Sequence, residues 1–181
     1  MDINQNQKAV SPSLRLTLEE DLFWDSDRAD SRLKALRSSI IRELSENTNN
    51  ILSGKISIGE DTSMLSFKPF YNAIKDSGLL PTARGNKYIK DVETSLYNIN
   101  NQDHNKEMFA TKKKLIQLIN LCYGFVENNY YDIYEREKYF ILSNRGTYAF
   151  ITLIGSLNSF LTEQKELNIK SKSLERFEKM E

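Results

Sequence analysis

The sequence predicts a mainly α-helical fold, with five to seven helices in an irregular helical bundle and one or two short extended segments. Apolar residues recur every three or four positions in several stretches, which is the period of an amphipathic helix. Residues that favour helix starts and ends separate these stretches. Hydrophobic residues make up 39% of the 181 residues and charged residues 28%, so the chain can bury a core and is too apolar for a disordered protein.

The first predicted helix begins at a proline and the second follows an acidic cluster. Ser11 is a suitable N-cap and Pro12 suits the first helical position, and leucines then recur at intervals of four. Asp25, Ser26 or Asp27 caps the second helix, and the polar run 47–50 ends it. Its apolar face comprises Leu33, Leu36, Ile40 and Leu44. Its predicted solvent-facing residues are Asp27, Arg28, Asp30, Arg32, Lys34 and Glu43.

An extended segment and a third helix follow. Gly54 and Gly59 bracket the alternating residues 55–58, which predicts a short strand that must pair with another segment. Ser66 opens the third helix and Gly78 is its C-terminal stop. The inward residues of this helix are Phe67, Phe70 and Ile74.

Three further helical patterns complete the predicted helical domain, residues 11–162. After a loop at 81–86, helical spacing continues through Tyr88, Ile89, Val92, Leu96 and Ile99. After a polar break at 98–105, a long helix carries Met108, Leu115, Leu118, Ile119, Cys122, Phe125 and Val126 on its apolar side. Ser143 and Asn144 can cap a last core helix with Tyr148, Ile151, Ile154, Leu157 and Leu161 inward. Residues 163–181 form a charged C-terminal helix or tail.

Charge and cysteine content narrow the class of protein. The 25 Lys and Arg residues balance the 25 Asp and Glu residues, which disfavours a dedicated non-specific nucleic-acid binder but leaves a local basic face open. Cys122 is the single cysteine, so no intrachain disulfide can form. The N-terminus lacks an apolar signal-peptide region, and no run approaches about 18 apolar residues. We therefore expect a cytoplasmic protein with no membrane partner.

Few residues are of catalytic types, and we expect no enzyme activity, no cofactor and no metal site. His104, the single histidine, lies in a polar break, where a solvated residue is a stronger interpretation than a base. Cys122 lies on an apolar helix side, which favours a buried structural thiol over a nucleophile. The glycines form no phosphate-binding fingerprint. Acidic residues at 19–21 and 25–27 could recruit a cation, but helix starts are commonly acidic.

Five cations are candidates for weak nucleic-acid contacts. Four lie at the start of the long helix and one at the start of the last helix: Lys106, Lys112, Lys113, Lys114 and Arg145. The alternative interpretation is a solvated helix face. Four tyrosines could stack on bases, although a half-buried packing edge is the stronger interpretation: Tyr130, Tyr131, Tyr134 and Tyr139.

The opening segment, residues 2–11, contains Ile3-Asn4 and Gln7-Lys8 followed by Val10. It resembles the INxxQKxV segment of DGQHR-domain proteins, which include the DndB group associated with bacterial DNA phosphorothioate modification. The matching family-motif residues are Asn4, Gln7 and Lys8. Later segments resemble the same family in the same order: residues 27–44, 52–56, 66–67 and 139–146.

The resemblance implies that the chain corresponds to the C-terminal part of such a protein, because the Asp-Gly-Gln-His-Arg motif is absent from the sequence. In the family that motif lies upstream, in a fold resembling the ParB and sulfiredoxin type. Residues 1–10 would then be a remnant of the upstream DGQHR-type domain. A prokaryotic or phage context is also implied, with DNA as a partner of the complete protein, since the DndB branch negatively regulates modification genes.

Two functions follow as expectations. The first is a non-catalytic helical region that acts in DNA modification, its transcriptional regulation or phage defence, through DNA or protein contacts. The second is a stand-alone helical protein-interaction module with no nucleic-acid role. Either function implies a protein partner or self-association, with DNA bound only weakly by this part alone.

Overall fold

The computed structural model describes residue 18 and residues 22–58, 64–131, 134 and 140–166. This part of the chain is mainly helical, as predicted, and contains four α-helices, one 3-10 helix and two two-stranded sheets. Five to seven helices were expected. The predicted helix start at Ser11 and Pro12, the family-motif residues at 4–8 and most of the charged segment 163–181 lie outside the described residues.

Helix α1 spans Ala29–Glu46. It buries the whole predicted apolar face: Leu33, Leu36, Ile40 and Leu44. Its N-cap is Arg28 rather than one of residues 25–27, and the backbone N–H of Arg28 donates to the Ser26 hydroxyl at 3.2 Å. Arg32, predicted to face solvent, is buried, because its Nη1 donates to the carbonyl oxygen of Ser26 at 2.7 Å and the chain preceding α1 covers it.

The predicted short strand is confirmed, and it pairs with the segment that precedes the next helix. Strand β1, Ile56–Ser57, lies parallel to β2, Leu65–Ser66, which runs directly into helix α2, Phe67–Asp76. The predicted inward residues of α2 are buried: Phe67, Phe70 and Ile74. Gly78 follows with a φ of 79°, a left-handed conformation that favours glycine and ends the helix as predicted.

The helix predicted from Tyr88 to Ile99 is wrong. Strand β3, Thr82–Arg84, and strand β4, Lys87–Lys90, form an antiparallel hairpin there, and turns follow it. Tyr88 packs against the core whereas the next residue, Ile89, is 55% exposed, which is the alternation of a strand. Spacing alone could not distinguish the two, since Tyr88 and Val92 also fit a helical period.

Tertiary contacts hold the hairpin turn against the start of α1. The Gly85 N–H donates to Asp30 Oδ2 at 3.0 Å, and the Asp30 N–H donates to the Gly85 carbonyl oxygen at 3.0 Å. The Ala29 N–H donates to Asn86 Oδ1 at 2.9 Å. The turn therefore satisfies N–H groups that the first turn of any helix leaves without an intrahelical acceptor.

Helix α3 spans His104–Asn129 and carries the long apolar pattern as predicted. Asp103 caps it, because its Oδ1 accepts the Lys106 N–H at 2.9 Å. Glu107 is buried and accepts hydrogen bonds from the Asn98 N–H, the Asn101 side chain and the Thr111 hydroxyl, at 2.9 to 3.0 Å. Burial alone would raise the pKa of Glu107, but these hydrogen bonds outweigh it and lower the pKa.

A 3-10 helix, Phe140–Leu142, leads into helix α4, Asn144–Glu166. Ser143 starts α4 as predicted, since its hydroxyl accepts the Gly146 N–H at 3.0 Å. Asn144 Oδ1 accepts the Ser66 N–H at 2.8 Å and so ties the start of α4 to the start of α2.

Helix α4 passes very close to the end of α2. A Cβ at Gly155 would collide with the backbone carbonyl of Ser77, so only glycine permits this approach. Ile151 and Ile154 are buried beside it as predicted. Tyr148 and Leu157, also predicted to face inward, are 39% and 40% exposed. They lie on nearly opposite sides of the helix, and the core covers the side between them, which carries Ile151, Ile154 and Asn158.

We expect Gly155→Ala to lower the free energy of unfolding by about 3 kcal/mol, the upper end of the range for overpacking, because the neighbouring atoms are backbone and cannot move aside. Urea denaturation followed by circular dichroism measures this. Gly124→Ala in α3 is the matched control: its Cβ would meet nothing nearer than Ile51 Cδ1 at 3.9 Å, so a gain of up to about 1 kcal/mol is expected. Equal effects of the two changes would contradict the proposed close approach.

Candidate functional site

An apolar groove of about 350 Å³ lies between α3 and α4. From α3 it is lined by Leu121, Cys122, Gly124 and Phe125, and from α4 by Phe150, Leu153, Ile154 and Leu157. Asn120 and Asn128 also lie in its lining. Grooves of this size with mostly apolar walls and a few amide groups are typical binding surfaces.

Neither wall of the groove carries a charge. Residues 115–126 of α3 and residues 146–162 of α4 contain no Lys, Arg, Asp, Glu or His, although 28% of the whole chain is charged. An uncharged apolar surface loses little solvation free energy when a partner covers it. The segregation of charge away from these two stretches therefore favours docking of a protein over docking of an ion.

Helix α4 has apolar residues on two distinct faces. The inner face buries Ile151, Ile154 and the amide of Asn158, whose Nδ2 donates to the Thr94 carbonyl oxygen at 2.7 Å. The outer face exposes Leu153 by 52%, Leu157 by 40% and Phe160 by 55%. A surface helix with one buried face ordinarily has polar residues on the other. We call Leu153, Leu157 and Phe160 the outer ridge.

Sequence reasoning missed the outer ridge, although a signal was present. The spacing of Ile151 and Ile154 interleaves with that of 153, 157 and 160, so the sequence already contains apolar residues on two sides of one helix. The prediction assigned Leu157 to the inner set, and it left Leu153 and Phe160 unassigned.

The single cysteine and the single histidine lie in the environments that the sequence predicted. Cys122 lines the groove and is 9% exposed, and burial raises the pKa of its thiol to about 12. A thiol that stays protonated at neutral pH is a poor nucleophile. His104 is exposed in the first turn of α3.

A shallow polar concavity surrounds His104. Its lining includes buried Arg32 and five acidic or amide residues, which are Asp25, Asp27, Gln102, Asp103 and Asn105. Two of its carboxylates are already used, since Asp25 accepts from Asn105 at 3.0 Å and Asp103 caps α3. Among the described residues, no three His, Cys, Asp or Glu side chains converge as metal ligands would.

The five candidate cations do not form one patch. Lys112 lies 3.6 Å from Glu43 of α1, and Lys114 lies near Glu107, where its charge contributes to lowering the pKa of that carboxyl group. Lys106 and Lys113 are exposed and, seven residues apart, point to the same side of α3.

Arg145 is exposed at the start of α4, remote from those lysines. Its neighbour Thr147 contacts the Tyr123 hydroxyl at 3.3 Å, and Tyr123 is ten residues beyond Lys113, about 15 Å along α3. A basic surface that the sequence did not single out lies on the hairpin, which exposes Arg84, Lys87 and Lys90.

The aromatic stretch after α3 divides into buried and exposed residues. Tyr134 is buried, and its hydroxyl accepts from Lys55 Nζ at 2.9 Å. Tyr130 and Tyr131 are more than half exposed, and Tyr139 lies outside the described residues.

Comparison with protein-family models, with curated proteins and with solved structures found no match to this chain. None of the helices in the described part of the chain has both the length and the apolar character needed to cross a lipid bilayer.

We expect the Cys122 thiol to resist a disulfide reagent at pH 8 in the folded chain and to react fully in urea. With its pKa raised from 9.0 to about 12, the folded thiol forms roughly a thousandfold less thiolate than an unfolded one. A Cys122→Ala chain carrying Ile89→Cys on the exposed hairpin is the control and should react at the rate of a free thiol. Rapid labelling of Cys122 in the folded chain would show that it is accessible and activated.

Proposed function

We propose that this chain is a non-catalytic helical interaction module that binds a protein partner on the charge-free face formed by α3 and α4. The observation that carries the proposal is the outer ridge beside the uncharged groove, since three large apolar side chains are each at least 40% exposed there. Exposed apolar patches of this kind on folded domains mark surfaces for partners.

The proposal includes a cellular setting. The order of the segments that resemble DGQHR-domain proteins supports a role within a DndB-like, cytoplasmic protein of DNA modification, its transcriptional regulation or phage defence. In that setting the helical region would connect the complete protein to its partner, and chemistry would belong to other parts. The buried, protonated thiol of Cys122 supports a non-catalytic role for the groove.

A photo-crosslinking amino acid in place of Leu153 tests the binding face in cells that express the chain. We expect irradiation to give one discrete covalent adduct, because a partner on the α3 and α4 face lies within reach of residue 153. The same amino acid in place of Ile89, which is 55% exposed on the hairpin, is the matched control and should give none. A chain without a discrete adduct at residue 153, or with the same adduct at both residues, would argue against a docking face.

A second candidate function is weak contact with DNA through the first half of α3. It is favoured by one observation, the two exposed cations Lys106 and Lys113 on one side of the helix. A phosphate backbone attracts such residues without reading sequence, with dissociation constants on the order of 10⁻⁴ to 10⁻⁶ M at physiological salt.

A salt titration of duplex binding by the whole chain tests this second function. Changing Lys106 and Lys113 together to Glu should reduce the slope of log affinity against log salt by about 2, since each lost phosphate contact contributes about 0.9. Changing Lys68 and Lys75 of α2 together to Glu alters the net charge equally and should leave the slope unchanged if the contacts lie on α3. The same reduction of the slope in both variants would show that only overall charge matters. Absence of binding at low salt would rule out the DNA contact and leave protein interaction as the sole candidate function.

A further inference from the structure

The outer ridge follows the spacing of helices that pair with helices. Phe150, Leu153, Leu157 and Phe160 are separated by three, four and three residues. In the sequence Leu167 and Leu174 follow at intervals of seven residues, and both lie outside the described residues. Apolar residues repeating every 3.5 positions on average are the pattern by which one helix packs its side chains between those of another.

The core of the chain uses only the beginning of this stripe. The Phe150 ring packs edge-on against Tyr123 of α3, with ring centroids 4.9 Å apart. Beyond it the stripe leaves the core, and Leu153, Leu157 and Phe160 are 40 to 55% exposed while Ile151 and Ile154 contact the interior. Nothing in the part of the chain that the structure describes covers the outer ridge, so these side chains are available to pack against another molecule.

The charge pattern suits a second copy of this chain as the partner. In a two-fold dimer the same surface meets itself, so a charge near the axis faces its own like-charged equivalent unless a countercharge lies beside it. Residues 115–126 and 146–162 contain no charge at all, and such a face can meet itself without repulsion. Charged partners are usually selected and oriented by complementary charges around the contact, which these two stretches do not supply.

The shape of the face also matches itself. The groove of about 350 Å³ is lined on one side by Leu121 and Phe125 of α3 and on the other by Leu153 and Leu157 of the outer ridge, so the exposed ridge and the depression lie on the same surface. A two-fold rotation can place the ridge of each copy into the groove of the other. An isologous interface requires a protrusion and a depression together on one surface.

We propose that two copies of this chain form a two-fold dimer in which the outer ridge of each α4 packs into the α3–α4 groove of the other. This inference rests on the proposed function, because it names the occupant of that same face. Residues 146–162 extend over about 25 Å of helix, so the interface lies at the small end of stable ones and dissociates on the order of micromolar concentrations.

Sedimentation velocity of the 181-residue chain across micromolar concentrations tests the dimer. We expect reversible conversion from monomer to dimer. Leu157→Glu together with Phe160→Glu should weaken dimerisation on the order of 100-fold or more, because each interface would bury four unpaired carboxylates. Ile89→Glu is the matched control, since Ile89 and Phe160 are both 55% exposed, and it should dimerise like the unchanged chain.

The ridge variants should fold, because they replace exposed residues, and unchanged helical circular dichroism verifies this. A folded chain that stays monomeric at every concentration, or dimerises equally well with both ridge residues changed, overturns the inference. The crosslinker at residue 153 separates the two proposals. An adduct of twice the chain mass, joined to a peptide of α3 or α4, supports the dimer. An adduct with a different protein overturns the dimer and leaves the docking face standing, whereas no adduct overturns both.

Discussion

The close approach of α4 to the end of α2 is the constraint on which the rest of the structure depends. Gly155 lets the backbone of α4 reach the carbonyl group of Ser77, and no side chain would leave room for that approach. Once the helices meet there, the rotation of α4 about its own axis is set. Ile151, Ile154 and Asn158 must then face inward, and Leu153, Leu157 and Phe160 must face outward. The candidate binding surface is thus a consequence of where one glycine lies.

Buried polar contacts, together with the close approach at Gly155, fix the positions of the helices and of the loop before α3. Asn158 holds the turn at Thr94 through its side-chain amide, and Glu107 holds the same loop from α3 through Asn98 and Asn101. A buried carboxylate is stable only when several donors surround it, and three do so here. Elsewhere, Arg37 is buried with its guanidinium 5.1 Å from the Tyr71 ring centre, where a cation–π contact offsets part of its desolvation. The contacts of Asn158 and Glu107 make the loop between the hairpin and α3 part of the packed domain.

Helix α3 divides into two halves with different physical characters. Residues 104–114 carry four lysines and one glutamate, whereas residues 115–126 carry no charge. The first half suits weak, salt-dependent contact with a polyanion, and the second suits an apolar protein surface. The two candidate functions therefore use different ends of one helix, and they do not compete for the same side chains. Both contacts can therefore form at once, with the protein contact independent of salt.

The comparison of sequence with structure separates local from non-local information. Periodicity predicted α1, α2 and α3 and the principal apolar residues that each of them buries, because these follow from spacing within one helix. Helix α1 also buries residues outside its predicted face, among them Arg37 and Ile41, since neighbouring segments pack around most of it. It also predicted the buried state of Cys122 and the exposed state of His104. The hairpin was mistaken for a helix, since the contacts of Gly85 and Asn86 with the start of α1 connect residues more than 50 positions apart.

The sequence by itself determined the mainly helical class, helices α1, α2 and α3 and the charge-free stretches, because these depend on residues near one another in the chain. Only the tertiary structure decided which face of α4 is buried, since two apolar stripes compete for the core and local spacing favours neither. It also decided that Arg32 is buried and that the five candidate cations are divided between separate surfaces. The physical reason is common to these cases: burial depends on which segment arrives opposite a side chain, and that segment comes from elsewhere in the chain.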